Sequence, residues 1–330
     1  MSGVPTYHVL ALSGGGYRGL YTATVLAELE RALGKPLAKH FDLICGTSVG
    51  GLLALGLAKE ISAADLKALF EKRGCEIFGK RTLLRRVLGF WWKAKHTHDG
   101  LRTVLKDTFK DDLIGHLKHP VLIPAVNYTT GRGQFFKTPH YKTFETDLHM
   151  SLVDTALATA AAPVYFPLFR NHRGVFADGG LVGNAPGLFG LHEIRTFFPD
   201  GKVANVRVMS IGTMTIGATI RGNAPLDQGL LRWKAGLFNL VISAQASSVN
   251  YMLLQSLGTD YFLIDDEATP DQSKDVKDLD VVTQASTNTL RDRAMHAAQK
   301  SLGDQRFQAF REHIAMKPVF YHGPNRNCEE

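Results

Sequence analysis

Apolar residues recur along this chain in two rhythms. Short blocks at 7–12, 41–45, 121–126, 206–211 and 261–264 are nearly continuous and end at polar or glycine residues, which reads as buried strand. Between most of these blocks the apolar positions fall three and four apart. That spacing predicts helices at about 20–33, 49–59, 63–73, 101–109, 151–160, 187–197, 228–257 and 284–314. Ser62-Ala63-Ala64-Asp65 has capping-box spacing with Asp in the usual Glu place, and Gly74 is the expected stop of that helix. Strands alternating with helices predict an α/β fold: a three-layer α/β/α arrangement with a mostly parallel central sheet covered by helices. With no internal repeat or low-complexity linker, the simplest division is a single domain over 1–330, with a lid or insertion at 77–99.

Composition narrows the class. The 330 residues, 45% of them hydrophobic, suffice for one large core. Three scattered cysteines, Cys45, Cys75 and Cys328, argue against a disulfide framework and for a reducing compartment. The N-terminus lacks a charged-then-apolar leader and no 18 apolar residues run together, so the expectation is a cytoplasmic protein that does not span a bilayer. No CxxC or HExxH motif points to a metal. The helical stretches 228–257 and 284–314 read mostly as core, with some surface left for self-association.

The formal charge of +7 is unevenly spread. Lys80 to His98 holds six Lys or Arg, two His, no acid and Phe90-Trp91-Trp92, a mixture suited to an interface with lipid or to a surface helix. Asp265 to Asp280 holds seven acids and reads as a solvated loop. Arg132 to Lys142, with its His and aromatics, is a second candidate for phosphate or lipid contact.

Candidate chemistry lies in three glycine-rich turns. Gly46-Thr47-Ser48-Val49-Gly50 follows the second apolar block, so Ser48 falls at a strand-to-helix turn that lifts its hydroxyl above a sheet. The same pattern also fits a turn whose serine merely caps the next helix. Ser13-Gly14-Gly15-Gly16-Tyr17-Arg18-Gly19 follows the first block and turns backbone N–H groups towards a helix start. Gly14, Gly16 and Gly19 match GxGxxG, with Asp42 some distance on, so an NAD-binding oxidoreductase is an alternative; against it, Asp42 precedes its strand rather than following it. The other reading is an oxyanion hole on the same sheet edge as Ser48. Among the later histidines, His192, His296, His313 and His322, none sits at an evident strand end, whereas Asp178 follows a short apolar run in Phe176-Ala177-Asp178-Gly179-Gly180; the same residues also fit an ordinary Asp-Gly turn.

Together these turns resemble the patatin-like phospholipase family. Gly14 to Gly19 is similar to its oxyanion loop, although Ser13 stands where the family commonly has Asp. Gly46 to Gly50 resembles its nucleophile elbow, and Asp178-Gly179-Gly180 its aspartate motif. Supporting similarities lie at Val126 to Gly131, Ala161 to Pro167 and Ser210 to Thr213. The resemblance implies a Ser48–Asp178 dyad without histidine, an oxyanion held by the amides of Gly14, Gly15 and Gly16, and Arg18, Gly46, Gly50, Gly179 and Gly180 in support. It implies no cofactor or metal for the chemistry and a membrane phospholipid substrate.

The Leu-Ser-Gly-Gly-Gly-Tyr-Arg-Gly form further resembles the bacterial anti-phage effector branch. That implies activation by a cyclic di- or trinucleotide and action at the inner membrane, with no nucleic-acid polymer as partner; the sequence leaves open whether the chain forms a homo-oligomer. A constitutive lipid acyl hydrolase and a catalytically silent lipid-surface protein are the other readings.

Overall fold

A computed structural model describes residues 4–78, 93–214, 227, 230–269 and 271–328. Most of the basic aromatic stretch, including Phe90-Trp91-Trp92, lies outside them. The strands are β1 (Thr6–Leu12), β2 (Leu43–Gly46), β3 (Val121–Asn127), β4 (Arg132–Lys137), β5 (Phe169–Asn171), β6 (Gly174–Asp178), β7 (Asn205–Ile211) and β8 (Tyr261–Ile264). The helices, in chain order, are α1 (Gly19–Leu33), α2 (Val49–Ala58), α3 (Ala63–Ile77), α4 (Asp99–Phe109), α5 (Leu152–Thr159), α6 (Gly180–Gly183), α7 (Gly187–Phe197), α8 (Leu230–Leu257), α9 (Ser273–Val276), α10 (Gln284–Leu302) and α11 (Gln305–Glu312).

One sheet in the order β5-β6-β3-β2-β1-β7-β8 organises these elements, with β4 on the other edge of β3. β3-β2-β1-β7-β8 is parallel, and the β4, β5 and β6 pairings are antiparallel. β1 is buried on both faces, as a central parallel strand requires. Its alternate residues Tyr7, Val9 and Ala11 pack under α7 and α8, while Leu10 and Leu12 join the larger core beneath α1 to α5, α10 and α11. Three layers result.

The strand blocks read from the sequence fall on β1, β2, β3, β7 and β8. β4 and β5 lack a continuous apolar run, since exposed Arg132, Gly133 and Arg170 interrupt them. Three other expectations change. Helix α3 does not stop at Gly74 but runs through it to Ile77; a Cβ on Gly74 would lie 2.5 Å from the Tyr17 ring, so the glycine makes room for the oxyanion loop. The predicted helix 284–314 is two, broken at Gly303-Asp304, where the Asp304 side chain caps α11.

Helix α8 is not mostly core. Among its side chains described from residue 236 on, Ile242 and Leu253 are buried, while Leu237, Leu240, Tyr251, Met252 and Leu254 are exposed. Gly236–Asp260 is long and apolar enough to cross a membrane by length and composition, a property the count of unbroken apolar residues missed. In this fold it packs on α6, α7 and β8.

Candidate active site

β2 and β6 both pair with the edge of β3 opposite β4. β2 is parallel to β3, with Cys45 beside Leu122, and β6 is antiparallel, with Asp178 beside Ala125. Their carboxyl ends therefore meet head-on across Ile123 and Pro124. At this gap Ser48 stands two residues past the end of β2, and the last residue of β6 is Asp178. The Ser48 hydroxyl donates to Asp178 Oδ2 at 2.7 Å. Thr159, at the end of α5, closes the joint: its hydroxyl donates to the Pro124 carbonyl and accepts the Ser48 amide at 3.0 Å.

Ser48 adopts φ 53° and ψ −123°, a conformation that L residues avoid and that the surroundings must enforce. The enforcement is visible in the flanking glycines. A Cβ on Gly46 would lie 2.1 Å from the Gly50 carbonyl oxygen, and one on Gly50 would lie 2.2 Å from that of Leu12. The turn closes only because both positions lack side chains. Gly179 and Gly180 take ordinary helical backbone rather than an unusual φ; the Gly180 amide donates to Asp178 Oδ1 at 2.6 Å.

Burial dominates the state of Asp178. Its carboxyl is 2% exposed, and desolvation pushes its pKa up to about 7 against the opposing hydrogen bonds from Ser48 and the Gly180 amide. This places the carboxylate in the range of a general base near neutrality. Among the described residues, no histidine bonds to Ser48, and no group of His, Cys, Asp and Glu is arranged to hold a metal.

The glycine loop corrects one expectation. The Gly14 amide is committed to the Asn184 carbonyl at 3.1 Å, so it does not face an oxyanion. Its carbonyl accepts from Asn184 Nδ2 at 3.3 Å and from the Thr213 hydroxyl at 3.2 Å. A trans peptide holds its C=O and N–H on opposite sides, so anchoring the Gly14 carbonyl aims the Gly15 N–H the other way. The Gly15 carbonyl is likewise taken by the Arg18 amide at 3.2 Å, which orients the Gly16 N–H. Gly15 and Gly16 line the same cavity as Ser48 and Asp178. Two preset amides remain, not three.

Other groups expected from the sequence find structural work. Arg18 reaches the Met214 carbonyl at 3.4 Å. Asp42 sits at the far end of β2 from Ser48 and accepts the His8 amide at 2.7 Å, the Met316 amide at 2.8 Å and His313 Nε2 at 2.8 Å. It is a clamp for the C-terminal segment, not a ribose ligand. Lys137 and His140 close on buried Glu193 at 2.6 and 3.0 Å, so the 132–142 stretch does not offer those two groups to a phosphate.

The acidic 265–280 segment is not wholly solvated. Val276 and Leu279 are buried, buried Asp280 meets His96 Nε2 at 2.8 Å, and the Leu279 carbonyl takes the Tyr17 amide at 2.7 Å. Asn184, Thr159 and Thr213 were not given roles from the sequence. Thr213 lies inside a quoted similarity, but a lone Thr or Asn gives no signal of which backbone group it will hold.

Comparison with known proteins adds the decisive match. The model of the family described as patatin-like phospholipase matches residues 10–188, more than half the chain and both dyad residues. The chain belongs to the patatin-like phospholipase family. Among its patatin-like relatives is a "cGAMP-activated phospholipase" from Pseudomonas aeruginosa, 69% identical over 100% of this chain and 99% of that protein. A second protein of that name, from Vibrio cholerae, is 35% identical over 88% of this chain and 90% of its own length. A "cUMP-AMP-activated phospholipase" from Escherichia coli is 32% identical over 62% of this chain and 63% of that protein.

Proposed function

We propose that this chain is a phospholipase that hydrolyses membrane phospholipid esters with Ser48 and Asp178 and is switched on by a cyclic dinucleotide. The observation that carries the chemistry is the 2.7 Å hydrogen bond from a strained serine to a buried carboxylate, opposite two oriented amides. Phe70, Phe78, Phe166, Phe238 and Ile242 line the cavity, an apolar wall that accepts an acyl chain.

The ester carbonyl seats beside Ser48 with its oxygen towards the Gly15 and Gly16 amides. Asp178 takes the Ser48 proton as Oγ attacks, and the tetrahedral oxyanion is held by the two N–H groups. The intermediate collapses, the C–O bond to the glycerol oxygen breaks, and Asp178 returns the proton to that oxygen. Water then attacks the acyl-enzyme, giving its proton to Asp178, and the fatty acid leaves as Ser48 is regenerated. No cofactor or metal enters these steps.

Nucleotide control is supported by the relatives' names, which record cGAMP or cUMP-AMP as activators, and it agrees with a role in anti-phage defence. We place the protein in the cytoplasm, meeting the inner membrane when active. The support is the uncharged stretch 236–259, whose Phe238 and Ile242 line the cavity while neighbouring Leu237 and Leu240 face solvent.

The test is fatty-acid release from mixed bacterial phospholipid vesicles with and without cGAMP. Wild type should release acid strongly only with the nucleotide. Ser48→Ala and Asp178→Asn should each lower release by at least about 10³-fold while thermal melting shows a folded chain. Release that survives either substitution excludes the dyad, and release that ignores cGAMP and cUMP-AMP excludes the switch.

A further inference from the structure

Helix α6 is one turn long, Gly180–Gly183, and it starts two residues after Asp178. A helix that short leaves its carbonyls without intrahelical partners, so other segments must supply them. Among the described residues, three segments do so at its C-terminal end. The Thr47 hydroxyl, next to Ser48, donates to the Gly183 carbonyl at 2.7 Å. The Gly14 amide of the oxyanion loop donates to the Asn184 carbonyl at 3.1 Å. The third segment is α8, through Gln245. Its Nε2 donates to the Leu181 carbonyl at 3.1 Å, and its Oε1 accepts the Asn184 amide at 3.3 Å. The end of α6 is a node that ties the nucleophile turn, the oxyanion loop and α8 together.

Asn184 passes this tie to the peptide that faces the substrate. Besides its backbone contact to the Gly14 amide, its Nδ2 donates to the Gly14 carbonyl at 3.3 Å. Holding that carbonyl is what aims the Gly15 N–H. Gln245 is therefore one residue removed from the oxyanion hole: it holds Asn184, and Asn184 holds Gly14 by both its polar groups. The planar amide of Gln245 meets one donor and one acceptor at once, so it fixes the end of α6 in orientation as well as in distance. Its neighbours show that this face of α8 points at the site. Phe238 and Ile242 line the catalytic cavity, and positions 238, 242 and 245 share one side of a helix. Leu240 and Ala244, on the other side, are exposed. Asn184 is buried and lines the same cavity as Gly15 and Gly16.

We propose that Gln245 is a positioning residue for the oxyanion hole, one that makes the aim of the Gly15 N–H depend on how α8 is seated. Its hydrogen bonds reach Leu181 and Asn184 rather than Ser48 or Asp178, so it acts through Asn184. Helix α8 thereby has a second duty beside walling the acyl pocket, and a displacement of α8 reaches the amide through one side chain. The proposal rests on the reading of Ser48 and Asp178 as nucleophile and base.

The experiment measures kcat and KM on p-nitrophenyl butyrate, a soluble ester, with cGAMP present. It compares wild type, Gln245→Met, Gln245→Glu, Asn184→Ala and the double variant Gln245→Met with Asn184→Ala, with thermal melting to check folding. Methionine has the length of glutamine and a good helix propensity, and it makes neither bond. Gln245→Met should lower kcat about tenfold, a fraction of the ~10²–10³ lost when an oxyanion donor is removed outright. KM should stay within about twofold, because acylation and deacylation use the same hole, whereas damage to the acyl pocket raises KM. The pH midpoint of kcat should stay where it is in wild type, since the Gly180 amide that bonds Asp178 lies at the other end of α6. In the Asn184→Ala background, Gln245→Met should cost at most about twofold more, because the side chain it positions is gone. Gln245→Glu keeps an acceptor for the Asn184 amide and should retain more of kcat than Gln245→Met.

A folded Gln245→Met with wild-type kcat, or with a loss confined to KM, would overturn the proposal. So would losses that multiply in the double variant, a Gln245→Glu slower than Gln245→Met, or a shifted pH midpoint, which would route the effect through Asp178. Ser48→Ala, run beside them, separates this proposal from the reading beneath it. Hydrolysis that persists in Ser48→Ala removes the dyad and the proposal together. An inactive Ser48→Ala beside an unaffected Gln245→Met removes the proposal alone.

Discussion

Asp178 combines two demands that conflict in one residue. A base needs a pKa near neutrality, and the protein supplies it by burying the carboxyl so that its pKa rises to about 7. In the unfolded chain an aspartate titrates near ~3.9, so the folded state binds the proton more tightly. The stability this gives is fully present below about pH 4 and is lost as pH rises to about 7, amounting to roughly 4 kcal/mol once the carboxylate is ionised. Asp178→Asn abolishes that loss. Its melting temperature should exceed that of wild type by a margin that grows from pH 5 to pH 8, read by thermal melting across that range. Activity runs the opposite way: the rate of the nucleotide-stimulated wild type should climb with pH through about 7 and level off above it, because only the carboxylate accepts the Ser48 proton. The glycine neighbours of Ser48 and Asp178 mark turns in the sequence, but only the resemblance of the three turns together to the patatin-like family singled the two residues out as a pair. The Gly14 amide was assigned wrongly because a run of three glycines looks alike residue by residue, and only the partner Asn184 shows which N–H is already spent.

At the scale of elements, the site is a joint rather than a loop. Two strands running in opposite senses end against one strand, and Thr159 bridges all three segments: its hydroxyl bonds Pro124 and Ser48, and its carbonyl accepts the Gly179 amide at 3.0 Å. Thr159→Val keeps the shape and removes both hydroxyl bonds, leaving a buried amide and carbonyl unpaired. It should cost about 1–3 kcal/mol in urea unfolding and lower the labelling rate of Ser48 by a fluorophosphonate. β1, β2, β3, β7 and β8 were readable as apolar blocks since most of their residues are buried, even though Leu263 of β8 is exposed. β4 and β5 were not, because exposed polar residues break their runs. The helix stop expected at Gly74 failed for a related reason. A glycine can end a helix or admit a neighbour, and the neighbour here, Tyr17, is 57 positions away in sequence.

For the whole molecule the exposed face of α8 sets the expected behaviour at a bilayer. Leu240 is 37% and Leu254 49% exposed on a helix that carries no charge from 236 to 259. Leu240→Asp combined with Leu254→Asp should weaken sedimentation with anionic phospholipid vesicles at least tenfold, while hydrolysis of a soluble ester stays within about twofold of wild type, each burial of such a side chain in lipid being worth ~1.5–3 kcal/mol. Unchanged sedimentation would exclude α8 as the membrane face. The sequence by itself determined the layered α/β architecture, the parallel core strands and the three glycine turns, because those follow from local periodicity and from backbone positions that tolerate no side chain. Only the tertiary structure decided that Ser48 and Asp178, 130 residues apart, share a hydrogen bond, that Asn184 and Thr213 aim the Gly15 amide, and that α8 lies on the surface. Those facts depend on which strand ends abut and which helix face meets the sheet, and such distant packing leaves no mark on the spacing of residues along the chain.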